Sequence, residues 1–189
     1  VAVTLPEGRR IVLADAADAG PRGFLLATDL ESGETRQIFC PEGVAQGASF
    51  AALMTSEGFY YLGQGKRLLQ FDANRMDWGW HGTPGTGVPH WMSLATGPDG
   101  TVWATGYPTC SLVSFDPATR QTRDHGRLDP VEQCPMTLAV DAAGWVYAGI
   151  GTTDGGRRTA DDGRRTTDDR RQTTDDGRRT TDDGRGTAL

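Results

Sequence analysis

The sequence lacks most of the patterns that announce a chemistry. Its three cysteines, Cys40, Cys110 and Cys134, form neither a dense disulfide framework nor a C-x-x-C metal pair, so idle or buried thiols are expected, with one disulfide as the minor alternative. There is no G-x-S-x-G elbow, no phosphate loop and no H-E-x-x-H zinc motif. No apolar run is long enough to cross a membrane and no secretory leader is legible. The chain opens on Val1 rather than Met, which reads as a processed or incomplete protein. No segment sustains a helical period of apolar residues.

What is present is a repeat. An apolar strand, a turn ending in Gly and a second apolar strand recur as VAVTL-PEG-RRIVLA (Val1 to Ala14), SFAALMT-SEG-FYYLG (Ser49 to Gly63), WMSLATG-PDG-TVWAT (Trp91 to Thr105) and MTLAVDA-AG-WVYAG (Met136 to Gly149). The turn glycines, Gly8, Gly58, Gly100 and Gly144, are 50, 42 and 44 residues apart. A second hairpin follows the first three copies: FLLATD-LESGE-TRQIF (Phe24 to Phe39), RLLQFD-ANRM-DWGW (Arg67 to Trp80) and SLVSFD-PATRQ-TRDHG (Ser111 to Gly126). Its aspartates, Asp29, Asp72 and Asp116, are 43 and 44 residues apart, and each stands where an Asp carboxylate can accept backbone N–H groups of a tight turn.

Each unit thus reads as four short antiparallel strands, a to d. A period of about 40–50 residues with several strands per unit is the signature of a β-propeller. The expected fold is all-β: a propeller of three complete four-stranded blades, approximately 1–39, 49–82 and 91–126, and half of a fourth, 136–150. Inner strands covered on both faces should be nearly continuously apolar, and outer d strands polar. The extra residues in Ala14 to Gly23 are expected to enlarge the b–c loop of the first blade. Closed propellers use about 4–8 blades. An arc of three and a half leaves strand edges open, so self-association through blade edges is a partner class to test.

Residues 151–189 differ in kind. They hold nine Asp, nine Arg, no Glu and no aromatic residue, in a period of seven with no apolar position. Such a polyampholyte is expected to be a disordered low-complexity tail, or a DNA repeat read through the gene's true end. Calcium binding is not expected, because a calcium loop uses a distal Glu and here arginines flank every Asp pair. Since the tail is charge-balanced, the net −6 belongs to residues 1–150, with 16 acids against 10 bases. An acidic body argues against nucleic acid and anionic membranes as partners.

Strand a runs antiparallel to strand b, so the d–a loops and b–c turns share one face, at the mouth of the central channel. A ligand site is expected there. The matching positions are Gly47-Ala48-Ser49, Pro89-His90-Trp91 and Gln133-Cys134-Pro135 before strand a. After strand b come Gln64-Gly65-Lys66, Gly106-Tyr107-Pro108-Thr109 and Ile150-Gly151-Thr152. His90 suits general acid–base work, and Tyr107 is the second catalytic candidate. Lys66, Trp91, Thr109 and Gln133 are the ligand-binding candidates, Trp91 by stacking on a sugar ring. Each has a structural alternative: His90 hydrogen-bonded at a strand entrance, Trp91 packed between blades, Lys66 solvated, Tyr107-Pro108 shaping the turn. His81, His90 and His125 occupy unlike places in their blades, so no metal site and no cofactor are expected.

The pattern D-x-x-G-x-V-Y/W-x-G followed by L-x-x-F-D-P-x-T, as in Gly97 to Trp103 and Leu112 to Thr119, resembles the bacterial superfamily of streptogramin lyase, gluconolactonase-like and quinoprotein-like propellers. The resemblance covers residues 1–150. It implies a relative of lyases, lactonases or plain binding modules, many of them exported to the periplasm or beyond. A streptogramin-type lyase would carry a His base and a divalent metal near the channel, and His90 is the residue here that could take the first role. The Trp-Asp repeat class fits less well, because no Gly-His and Trp-Asp signature recurs in register. The first expectation is a small-molecule or carbohydrate-binding module. The second is a lyase or hydrolase acting on a sugar or cyclic ester through His90 and Tyr107, and the third is a protein-interaction scaffold.

Overall fold

The structure is a computed structural model that describes residues 1–16, 22–44, 49–84, 88 and 90–151. The middle of the enlarged b–c loop and the tail beyond Gly151 lie outside the described residues. Fourteen strands follow in order: β1 (Ala2–Thr4), β2 (Arg10–Ala16), β3 (Phe24–Asp29), β4 (Thr35–Phe39), β5 (Ala52–Met54), β6 (Phe59–Gln64), β7 (Arg67–Asp72), β8 (Asp77–Gly82), β9 (His90–Thr96), β10 (Val102–Tyr107), β11 (Ser111–Asp116), β12 (Gln121–Arg127), β13 (Cys134–Val140) and β14 (Val146–Gly151). They form three four-stranded antiparallel meanders, β1 to β4, β5 to β8 and β9 to β12, and one two-stranded sheet, β13 with β14. These are three whole blades and the first hairpin of a fourth.

The turns explain why the repeat is legible. In every a–b turn the glycine N–H donates to the carbonyl three residues back: Gly8 to Leu5 at 2.8 Å, Gly58 to Thr55 at 3.1 Å, Gly100 to Gly97 and Gly144 to Asp141, both at 3.0 Å. These glycines lie at φ between 81° and 87°, the left-handed conformation that closes a three-residue hairpin loop and that side-chain-bearing residues avoid. The c–d turns repeat as closely. Asp29 accepts the N–H groups of Glu31 and Ser32, Asp72 those of Asn74 and Arg75, and Asp116 those of Ala118 and Thr119.

The core lies between blades. Leu13, Leu25, Tyr60, Leu62, Leu69 and Phe71 belong to the cluster that joins the first and second blades. Tyr61, Leu68, Trp91, Val102, Val113 and Phe115 belong to the one that joins the second and third. β6 supplies both, Tyr60 and Leu62 to one side and Tyr61 to the other, because successive strand residues point to opposite faces. It is therefore buried along almost its whole length. Burying each large side chain contributes roughly 2 kcal/mol.

The d strands differ from one another. β12 is exposed throughout, as its polar sequence predicts. β8 instead buries parts of two tryptophans. Trp78 meets Phe71 edge to face at 5.2 Å, and Trp80 stacks on Phe115 at 4.3 Å. A strict alternation would put Trp78 and Trp80 on one face. A β-bulge between Gln70 and Phe71 sends them to opposite faces, one toward each neighbouring blade. On the half blade, Met136, Trp145 and Tyr147 stay exposed.

Candidate functional site

Three equivalent positions build the joints between blades on the mouth face. Asp15 pairs with Leu25, Gly63 with Leu68 and Thr105 with Leu112, each Leu standing four residues before its turn aspartate. Each position touches the start of the next blade. Asp15 Oδ2 accepts the Ser49 N–H at 3.1 Å. Gly63 lies against Trp91, whose Cβ is 2.5 Å from where a Gly63 Cβ would sit. Thr105 Oγ1 donates to the Pro135 carbonyl at 3.3 Å. None of these contacts is legible from residue type alone, because carboxylate, glycine and hydroxyl do the same task.

The register brings the two catalytic candidates together. His90 and Tyr107 are direct cross-strand partners, with ring centroids 6.5 Å apart and planes inclined by 31°. Phe50 meets His90 edge to face at 6.4 Å. Phe50 is 68% exposed. Phe50, His90 and Tyr107 together form an aromatic ledge that crosses from the second blade to the third. The repeat places the start of strand a at Ser49; the strand begins at Ala52, which leaves Phe50 in the preceding loop.

The remaining candidates are distributed around this ledge. Trp91 is buried at 1% exposure in the core between the second and third blades, so it packs between blades and does not present its ring to a ligand. Lys66 is an exposed turn residue beside Gly65, and Gln133 is exposed ahead of β13. Thr109 is tied into its own turn, its Oγ1 2.8 Å from Ser111 Oγ. Of the other loop positions named, Gly47, Ala48, Pro89 and Thr152 lie outside the described residues.

Two buried polar atoms at this face have no hydrogen-bond partner among the described residues, Gln64 Oε1 and Trp91 Nε1. Gln64 is 3% exposed and its amide lies near Gly23 and Cys40. Burial raises the Cys40 thiol to about 11 and the Tyr60 hydroxyl to about 12, with the Asp15 charge adding to both. The His90 imidazole meets the rings of Phe50 and Tyr107 and has no hydrogen bond among the described residues. No three metal-capable side chains cluster among the described residues, so they do not fit the divalent ion of a streptogramin-type lyase.

No protein-family model matches the chain, and no curated protein matches its sequence. Solved structures do match in shape. A streptogramin B lyase superposes with a TM-score of 0.54 at 10% identity, over 76% of this chain and 56% of the lyase. The virginiamycin B lyase of Staphylococcus aureus gives 0.56 at 11%, over 82% and 52%. A protein of unknown function from Bacteroides caccae gives 0.52 at 16%, over 80% and 56%. The chain therefore spans just over half the length of each of these structures. Meanders, turns and inter-blade cores lead to one conclusion: this chain carries the β-propeller fold of the streptogramin and virginiamycin lyases.

Proposed function

We propose that the mouth face is a binding site for a small molecule with a flat or ring-shaped apolar face, a carbohydrate above all. The observation that carries this reading is the ledge of Phe50, His90 and Tyr107, two exposed rings and one half-buried one spanning adjacent blades. Sugar rings and heteroaromatics stack on such surfaces. Saturation-transfer NMR against soluble saccharides and heteroaromatic compounds tests it. Phe50→Ala should weaken the best ligand by about tenfold. Equal binding by this variant would remove the ledge from the site.

A second reading has one observation in its favour. The register pairing of His90 with Tyr107 places two proton-transfer groups side by side, as a lyase or hydrolase acting on a sugar or cyclic ester needs. Against it stands the absence of a hydrogen-bonded orienting group on His90 among the described residues. Proton release from cyclic esters, compared between the wild type and His90→Gln, separates the readings. A catalytic His90 predicts a loss of about 100-fold, a binding ledge no turnover in either protein.

A further inference from the structure

The face opposite the mouth holds a second opening, between the c–d turns of the second and third blades. It is a cleft of about 370 Å³ lined by Phe59, Gln70, Asp72, Arg75, Gly79, Pro117, Ala118 and Arg120. Its volume falls within the range of small-molecule sites. Arg75 comes from the turn after β7 and Arg120 from the turn after β11, so the two guanidinium groups stand on different blades and face one opening. Both side chains are exposed. Neither guanidinium has an ion pair or hydrogen bond among the described residues; the salt bridges found there involve Arg9 alone.

The rest of the cleft is fixed. Gln70 is 8% exposed and its Nε2 donates to Tyr61 Oη at 2.7 Å, which leaves the amide as a rigid part of the floor. Phe59 is half-buried and forms an apolar wall. Arg120 lies at φ 59°, a left-handed conformation that the Asp116 turn imposes and that aims its side chain independently of the strand. Among the described residues that line the cleft Asp72 is the one carboxylate, and its Oδ1 is occupied by the N–H groups of Asn74 and Arg75.

We propose that this cleft binds a phosphate monoester carried on a flat ring, with the phosphoryl group held between Arg75 and Arg120 and the ring against Phe59. Guanidinium is the side chain best matched to a tetrahedral oxyanion, because its planar fork gives two parallel N–H donors to neighbouring oxygens. Two forks on separate blades match a dianion. The acidic body repels anions at long range, but that field decays over about 8–10 Å in salt, whereas the clamp acts at hydrogen-bond distance. This site is independent of the mouth ledge, since no residue is shared.

The test is a titration of the full chain with inorganic phosphate and with phenyl phosphate, followed on the Arg Nε–Hε resonances at constant ionic strength. Saturable shifts at Arg75 and Arg120 are expected. Each of Arg75→Gln and Arg120→Gln should weaken binding about tenfold, the effect of losing one charge-assisted contact. Tighter binding of phenyl phosphate than of inorganic phosphate assigns the ester, and equal affinity overturns the ring contact with Phe59. Shifts reproduced by chloride, or unchanged in the double variant, overturn the clamp. Both guanidinium groups are exposed and unpartnered among the described residues, so the variants should keep the wild-type melting temperature and the comparison stays interpretable.

Discussion

Gly63→Ala is the sharpest probe of how the blades are held. A Cβ at Gly63 would lie 2.5 Å from Trp91 Cβ, 3.1 Å from its Cγ and 3.2 Å from its Cδ1. Ordinary contact begins near 3.4 Å, so Trp91 must retreat by roughly 1 Å, and at 1% exposure it has no free space to enter. Two effects of opposite sign compete. Gly63 has an ordinary strand conformation, so Ala in its place would stabilise by about 0.5–1 kcal/mol through the unfolded chain alone. Overpacking costs about 1–3 kcal/mol. Expelling Trp91 altogether costs more, about 4–6 kcal/mol for an aromatic burying about 150–250 Å². The clash wins: urea unfolding should show a net loss of about 2 kcal/mol with a red shift in tryptophan emission. An unchanged or increased stability would refute the claim that indole-on-glycine packing joins the second and third blades.

Other outcomes follow from the turns and thiols. Gly33 lies at φ 73° with open space around it, so Gly33→Ala should cost about 1 kcal/mol in thermal unfolding through conformation alone, and Gly33→Asn less. The carboxyls of Asp29, Asp99, Asp116 and Asp141 are held below their ordinary 3.8, chiefly by the Ser32 N–H, the Thr101 N–H, the Thr119 hydroxyl and the Trp145 N–H respectively. Their folded state binds protons less readily than the unfolded chain. The stability they add is therefore complete above 3.8 and lost as pH falls through the lowered values. A melting temperature that falls most steeply below pH 4 checks this; His125, held below its ordinary 6.5 by burial, adds a shallower decline as pH falls below 6.5. Iodoacetamide at pH 8 should label the half-buried Cys134 first, because burial raises Cys40 to about 11 and also raises Cys110; mass spectrometry of the peptides reads the order.

The sequence exposes the parts of this fold that local chemistry dictates. Left-handed φ at the turn demands glycine, and the c–d turn demands an oxygen two residues before its N–H groups, so Gly100 and Asp116 recur in type as well as in place. The joints do not recur in type. Asp15, Gly63 and Thr105 are equivalent only once the strands are paired, and no propensity links them. Trp78 and Trp80 escaped for a different reason: alternation assigns them one face, and the bulge that separates them is a property of the β7–β8 pairing. At the mouth, His90 and Tyr107 were placed by topology alone, but Phe50 required knowing that β5 starts three residues late. Arg75 and Arg120 are ordinary turn residues until two blades bring them to one cleft.

The unlike joints bear on how a repetitive chain avoids confusing its own parts. Near-identical hairpins invite one blade to dock where another belongs, a common failure of repeat proteins. Here the wrong neighbour is penalised. Were the first blade to meet the third, the Asp15 carboxylate would face the Trp91 indole instead of the Ser49 N–H, giving up its hydrogen bond and its hydration together. Were the third to meet itself in another copy, the Thr105 hydroxyl would press on Trp91 where only glycine leaves room. The three contacts act as addresses, and the order of the blades is written in them as much as in the order of the chain.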